Sequence, residues 1–198
     1  MQLHCIPSGK KERGVTLLEV LVTILIVTFG LLGLAGLQAR IQAAELESYQ
    51  RVQAIVLLQD MVDRLNANRK QAGNYATSGA AVGTGSTLNC SSSPTNGYLK
   101  DLCDIDSALK GASETDGGSV KLGAMIGARG CFTQTTPFEY VVAVAWQGLT
   151  ATATPTASTC GSGEYGTNEA LRRVITARVV FACLQNDASG TNCIATAP

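Results

Sequence analysis

The side chains able to do chemistry in this 198-residue chain are few and unevenly placed. One carboxylate, Glu19, stands inside an apolar run, at the fifth place after Gly14. There it costs a few kcal/mol, on the order of ~3, unless it is paired, near the surface or neutralised. Something must compensate it. The only histidine is His4, ahead of that run, so the rest of the chain has no imidazole for Ser-His-Asp or Cys-His catalysis or for a metal. No phosphate loop, dinucleotide-type glycine pattern or paired-carboxylate site stands out. Asp101, Asp104 and Asp106 are spaced closely enough to suggest calcium but lack the glycine and later glutamate of an EF-hand loop. They read as a solvated acidic face. The chain is therefore expected not to be an enzyme, and to carry no cofactor and no metal.

The element that must position Glu19 is the stretch Arg13 to Leu37, RGVTLLEVLVTILIVTFGLLGLAGL. From Val15 to Leu37 a helix would extend about 35 Å at ~1.5 Å per residue, enough to cross a hydrocarbon core of roughly 30 Å. An ordinary secretory signal has a shorter apolar region and a small-x-small cleavage site. A lipoprotein signal needs a cysteine that LAGL lacks, and a plain single-span anchor leaves Glu19 unexplained. Lys10, Lys11 and Arg13 before the span mark a cytoplasmic N-terminus, which puts the remainder of the chain outside the inner membrane.

Gly14, followed by an apolar stretch with glutamate at the fifth place, resembles the type III signal and N-terminal helix of type IV pilins and pseudopilins. The resemblance implies that a prepilin peptidase cuts between Gly14 and Val15 and methylates the new amine. It implies for Glu19 an ion pair with a neighbouring subunit's N-terminal amine during assembly. The run TLLEVLVTILIVTFGLLGLAGLQ resembles more narrowly the PilV-type minor pilins (type IV pilus modification protein). LLEVLV alone also occurs in pseudopilins of type II secretion.

Removing residues 1–14 takes Lys10, Lys11, Arg13 and Glu12 from the 15 basic and 15 acidic side chains, leaving 12 and 14, a net charge of −2. That balance argues against a nucleic-acid binder relying on bulk charge. Cys5 leaves with the same leader, and Cys90, Cys103, Cys131, Cys160, Cys183 and Cys193 remain. In an oxidising periplasm this even set reads as up to three disulfides, with about 15 pairings open. The expected pairing joins nearest neighbours: Cys90 with Cys103, Cys131 with Cys160, Cys183 with Cys193. No C-x-x-C pair or accompanying histidine supports zinc.

After Leu37 the helical pattern turns amphipathic, through QARIQAAELESYQRVQAIVLLQDMVDRLNANRK. Ile41, Ala44, Val52, Ile55, Val62 and Leu65 form the expected apolar stripe, widened by Leu58 and Met61. Arg40, Glu45, Glu47, Arg51, Asp60, Asp63 and Arg64 are assigned to the wet side. Gly73 is the expected stop, so one helix of well over fifty residues is predicted. Gly30, Gly33 and Gly36 lie in its membranous half, for tight packing or for local unwinding on assembly.

Residues 76–97 read as a long loop pinned by Cys90, and YLKDLCDIDSALKG as a short helix. In FEYVVAVAW, alternation with apolar residues on both faces predicts a strand buried on both sides or nearly so. Its expected partner is RRVITARVVFAC, with Ile175, Ala177, Val179, Phe181 and Cys183 toward the core and Arg172, Thr176 and Arg178 away from it. The intervening Gly148 to Glu169 reads as a loop held by Cys160.

The expected fold is α+β and pilin-like, a long N-terminal helix packed on an antiparallel β-sheet head stapled by disulfides. Its parts are a leader (1–14), a membrane or filament-core helix (15–37), the amphipathic half of the same helix (38–73) and a globular head (74–198). By the resemblance, the function is that of a minor pilin in the tip or initiation complex of a type IV pilus, supporting assembly, twitching motility and adhesion. Its partners would be other minor pilins, the major pilin, prepilin peptidase and the inner-membrane assembly platform. The subunit is expected in the inner membrane with its head in the periplasm before entering the filament. The alternatives are a type II secretion pseudopilin and a DNA-uptake or adhesive minor pilin.

Overall fold

Fifty-one consecutive residues, Leu17–Ala67, form helix α1 in the computed structural model, which describes residues 14–77, 82–90, 97–112, 117, 125–166 and 169–182. By backbone contacts the chain divides into one unit up to Glu45 and a second from Leu46 onward. In the first, every large apolar side chain from Val15 to Ile41 is exposed. Thr23 and Thr28 turn their hydroxyls back onto the carbonyls of Val20 and Ile24, at 2.8 and 2.7 Å. The helix thus satisfies its own polar groups, as an apolar surrounding requires.

In the second unit α1 ends at Ala67, not at Gly73. Asn68 leaves the helical region (φ −109°, ψ 38°), and its side-chain amide donates to Asp101 at 2.5 Å. A 3₁₀ turn, Arg69–Gln71, and a short helix α2, Ala72–Thr77, follow, so Gly73 lies within α2. An asparagine with a long-range partner terminates the helix where a glycine was expected.

The buried stripe of α1 is Ala54, Leu58, Met61 and Leu65, at spacings of four, three and four residues. This corrects the predicted stripe: Ile41, Ala44, Val52 and Ile55 are exposed, and Ala54, outside that stripe, is fully buried. On the wet side Arg40, Glu45, Arg51 and Asp63 are exposed as expected, whereas Glu47 and Arg64 are drawn into ion pairs. Glu47 accepts from Arg173 Nε at 2.7 Å, and Arg64 donates to Asp60, Asp101 and Asp104 at 2.9 to 3.2 Å.

Helix α3, Gly97–Leu109, buries Leu102, Ile105 and Leu109 against this stripe. Its aspartates do not form a solvated face. Asp101 accepts from Asn68, Arg64 and the Tyr75 hydroxyl, and burial followed by that last bond pushes the Tyr75 phenol well above its usual range. Asp106 is 6 % exposed and accepts from the Gly83 N–H at 2.8 Å and Lys110 Nζ at 2.7 Å. Hydrogen bonds from Lys100, then Arg64, hold Asp104 below the ordinary carboxylate value.

The sheet is an antiparallel meander of β1 (Val82–Gly83), β2 (Arg129–Thr136), β3 (Glu139–Gln147) and β4 (Arg172–Val180), in that spatial order. β1 and β2 carry no strong apolar alternation: β1 is two residues long, and half of β2, Thr133–Thr136, is exposed. β1 interrupts the predicted 76–97 loop. The Gly130–Val144 register pair puts a glycine under Met61 and Leu109, where an added Cβ would lie 2.8 Å from Met61 Cε and 3.0 Å from Leu109 Cδ1.

β3 is covered on both faces. Tyr140, Val142, Val144 and Trp146 join the helix-packed core, whereas Ala143 and Ala145 meet Cys160 and Tyr165 of the β3–β4 connection. β4 runs beside it from Glu139↔Val180 to Gln147↔Arg172. Val179 is buried, with Ile175, Ala177 and Phe181 packed against the core. Arg172, expected to point away into solvent, is only 3 % exposed, because the connection folds over it.

Candidate functional site at the helix start

Gly14, Val15 and Thr16 precede the helix as exposed backbone without regular structure. At Gly14 an added Cβ would meet nothing within 4 Å, and Val15 is 71 % exposed. The Gly14–Val15 peptide bond lies in exposed backbone, two residues before the helix begins. Helical hydrogen bonding starts immediately afterwards. The N–H of Glu19 donates to the Thr16 carbonyl at 3.1 Å and to Thr16 Oγ1 at 3.3 Å, and that of Val20 to the Thr16 carbonyl at 3.3 Å.

Thr16 thus caps α1, and Glu19 occupies the third position, the T-x-x-E spacing of a capping box. The pattern is legible in the sequence, but Thr16 was not singled out there. The carboxylate also sits in the first turn, where the helix dipole favours negative charge by roughly 0.3–1 kcal/mol. Glu19 is exposed and has no ion pair within the described residues. The arrangement presents an unpaired carboxylate in an apolar surface, one helical turn from the peptide bond whose cleavage would create an amine.

Within that surface, an added Cβ at Gly30, Gly33 or Gly36 meets nothing within 4 Å. No packing among the described residues accounts for them. α1 is long and apolar enough to cross a membrane, with a mean hydropathy of 2.6 in its most apolar 18-residue window, none of it buried.

The cysteines serve the head. Cys90 bonds Cys103 of α3 and Cys131 of β2 bonds Cys160, with Cα separations of 5.6 and 5.8 Å. Closing loops of 13 and 29 residues, each is worth on the order of 3 kcal/mol through the unfolded chain. Cys183 and Cys193 lie outside the described residues, as do residues 1–13, most of the expected leader. Non-reducing peptide mapping is expected to recover Cys90–Cys103 and Cys131–Cys160, and to join Cys183 to Cys193 as the remaining pair. Free thiols at Cys183 and Cys193 would remove the third bond. Among the described residues, no group of three or more His, Cys, Asp or Glu side chains is arranged to hold a metal.

Arg172 is a further residue of the head that lies buried where solvent exposure was expected. Its guanidinium donates to the carbonyls of Pro155, Ser158 and Cys160 at 3.0, 2.8 and 3.1 Å and to Glu169 Oε2 at 2.5 Å. The N–H of Gly163, at 2.6 Å, and then Arg172 hold Glu169 below its ordinary value. Nearby, burial pushes the Tyr165 phenol up to about 12, and its hydroxyl donates to the Gly127 carbonyl at 3.0 Å. Strand alternation puts Arg172 and Arg173 on opposite faces; what the sequence does not show is that the β3–β4 connection covers the face of Arg172.

Comparison with known families places two matches end to end. Residues 9–35 match the prokaryotic N-terminal methylation motif, and residues 36–107 match the type IV pilin Tt1218 family. Gly14, Val15 and Glu19 thus fall within the stretch similar to the N-terminal methylation motif, and the segment that follows is similar to type IV pilin Tt1218. Neither a curated protein nor a solved structure matches it.

Proposed function

We propose that this chain, a prepilin methylation motif joined to a type IV pilin segment, is a minor pilin subunit of a type IV pilus, of the PilV type. Prepilin peptidase cleaves Gly14–Val15 and methylates the Val15 amine. The subunit waits in the inner membrane through residues 15–37 with its head in the periplasm. It then enters the filament, in the tip or initiation complex that supports assembly, twitching motility and adhesion. Its partners are the other minor pilins, the major pilin and the inner-membrane assembly platform, and its role is structural rather than catalytic.

The observation that carries this reading is the continuity of the two family matches across a helix whose first turn bears Glu19. In a bilayer the uncut N-terminus and the carboxylate both lie near the cytoplasmic surface, where neither charge needs deep burial. After cleavage, the new amine of one subunit and Glu19 of another supply opposite charges to the same apolar filament core. The open glycines Gly30, Gly33 and Gly36 let neighbouring helices approach closely there, or let the helix loosen.

Mass spectrometry of the mature protein is expected to place its N-terminus at Val15 with one added methyl group. An intact leader, or cleavage near Ala39, would remove the reading.

A further inference from the structure

β4 is the outer strand of the sheet: its nine residues pair with β3 on one side, and among the described residues nothing pairs with the other. The directions of its backbone groups follow from its ends. The Phe181 N–H donates to the Phe138 carbonyl, and the Leu171 carbonyl accepts from the Gly148 N–H, so the odd-numbered residues point at β3. By the alternation of an antiparallel ladder, Val174, Thr176, Arg178 and Val180 turn their backbone groups outward.

Proteins protect such edges with short strands, prolines, bulges or free charges. β4 is long, has no proline and pairs with β3 without a register shift. Its arginines are committed elsewhere: Arg172 to the β3–β4 connection, Arg173 to Glu47 and Arg178 to Glu139. Apolar surface also lies open beside the edge. On one face a groove of about 420 Å³ runs between α1 and β4, lined by Ile55, Leu58, Gln59, Val62, Asp63 and Ala177. On the other, Val180 is 62 % exposed.

The chain leaves β4 through Phe181 and Ala182 and continues as CLQNDASGTNCIATAP, residues 183–198. QNDASGTN is rich in turn-forming residues, and CIATA after it is uncharged and free of glycine and proline, the pattern of a turn followed by a short strand. Every neighbouring pair of strands in the sheet is already consecutive in the chain. A segment tethered at the end of the edge also reaches it at a far higher effective concentration than a free partner.

Parity supports the same placement. Cys183 continues the odd-numbered residues, so a strand on the free edge would meet it in a non-hydrogen-bonded pair, where facing side chains come closest. Two cysteines in such a pair fall within the Cα range of a disulfide. With Cys193 opposite Cys183, Ala195 falls opposite Phe181 and Ala197 opposite Val179, small side chains on the face that α1 covers. Ile194 and Thr196 then fall opposite Ala182 and Val180, and cover the exposed valine.

We propose that residues 193–197 return along β4 as a fifth, antiparallel strand with Cys193 opposite Cys183, so that Val180 and Thr196 exchange backbone hydrogen bonds. The edge is then closed by the chain's own residues, and contacts between heads cannot form by strand addition at β4. The proposal goes beyond the pilin reading and does not rest on it.

Amide hydrogen exchange, read residue by residue by NMR on the detergent-solubilised full chain, tests it. The amides of Val180 and Ala182, under the returning strand, are expected to exchange at least about tenfold more slowly than that of Thr176, which faces outward beyond it. Thr196→Pro removes the returning N–H and should abolish this protection, while the amides of Val142 and Val144 in β3 keep theirs. Should the variant lose the β3 amides too, the wild-type ratio alone decides. Equal rates at Val180 and Thr176, protection that survives Thr196→Pro, or protection lost on dilution, which would mark a second copy on the edge, each overturns the assignment.

Discussion

Glu19→Ala is expected to leave the subunit inserted in the membrane at wild-type level yet absent from sheared filaments. Removing a carboxylate makes the span more apolar and favours insertion by up to ~3 kcal/mol. The cap loses only its dipole contribution, roughly 0.3–1 kcal/mol, too little to unwind a helix of 51 residues. In a packed filament core the balance reverses, because an amine entering without its counter-charge leaves an unpaired buried charge worth ~3–5 kcal/mol.

Glu19→Gln separates the charge from the cap. Glutamine keeps the hydrogen-bonding side chain of a capping box but not the charge. If pairing with an amine matters, the glutamine variant also fails to reach filaments. Immunodetection in membrane and sheared-filament fractions reads both variants. Wild-type incorporation of Glu19→Gln would assign the residue to capping, and loss from membranes as well would assign it to folding or insertion.

The second large effect is expected in the head, where Arg172→Met should destabilise the fold by about 3 kcal/mol. Three carbonyls, those of Pro155, Ser158 and Cys160, lose a charged donor held at 2.8 to 3.1 Å, at roughly 1 kcal/mol each. Methionine refills much of the volume, so the loss reports the hydrogen bonds rather than a cavity. Arg172→Lys keeps the charge but not the planar fork that reaches three carbonyls, and recovers only part. Denaturant unfolding of detergent-solubilised protein measures the energy, and limited proteolysis within 149–166 locates it.

The same contact carries a pH dependence. Glu169 is depressed by the Gly163 N–H and then by Arg172, so its stabilisation is full above the ordinary carboxylate range and is lost as pH falls through its lowered value. Arg172→Met should flatten part of that acid-side loss, leaving the share held by the Gly163 N–H. Stability that depends on pH as in wild type would mean that the Arg172 pair contributes nothing to it.

What could be read in the sequence was local or periodic. The apolar length from Val15, the lone Glu19 behind a glycine, and the alternation through β3 and β4 each lie within a few residues of one another, and helix and strand periods act over that range. The α+β class followed from them, because a strand apolar on both faces needs a layer on each.

What was misread depended on partners far along the chain. Glu47 and Arg64 look like solvated helix charges until Arg173 and the aspartates of α3 fold onto them, and Asp101 and Asp106 look like a wet face until Tyr75, Asn68 and Gly83 arrive. β2 pairs along most of its length with β3 although its own residues are half exposed, so its strand state is imposed by the ladder rather than by its side chains.

The sequence by itself determined that an apolar helix bearing one carboxylate begins just after Gly14, since side-chain hydrophobicity and a spacing of a few residues are enough to state it. Only the tertiary structure decided where that helix stops, which stripe it buries and which of two adjacent arginines is taken inside. These outcomes rest on hydrogen bonds and packing between residues from 12 to more than 30 positions apart, and a one-residue difference in register exchanges the buried face of a strand for the exposed one.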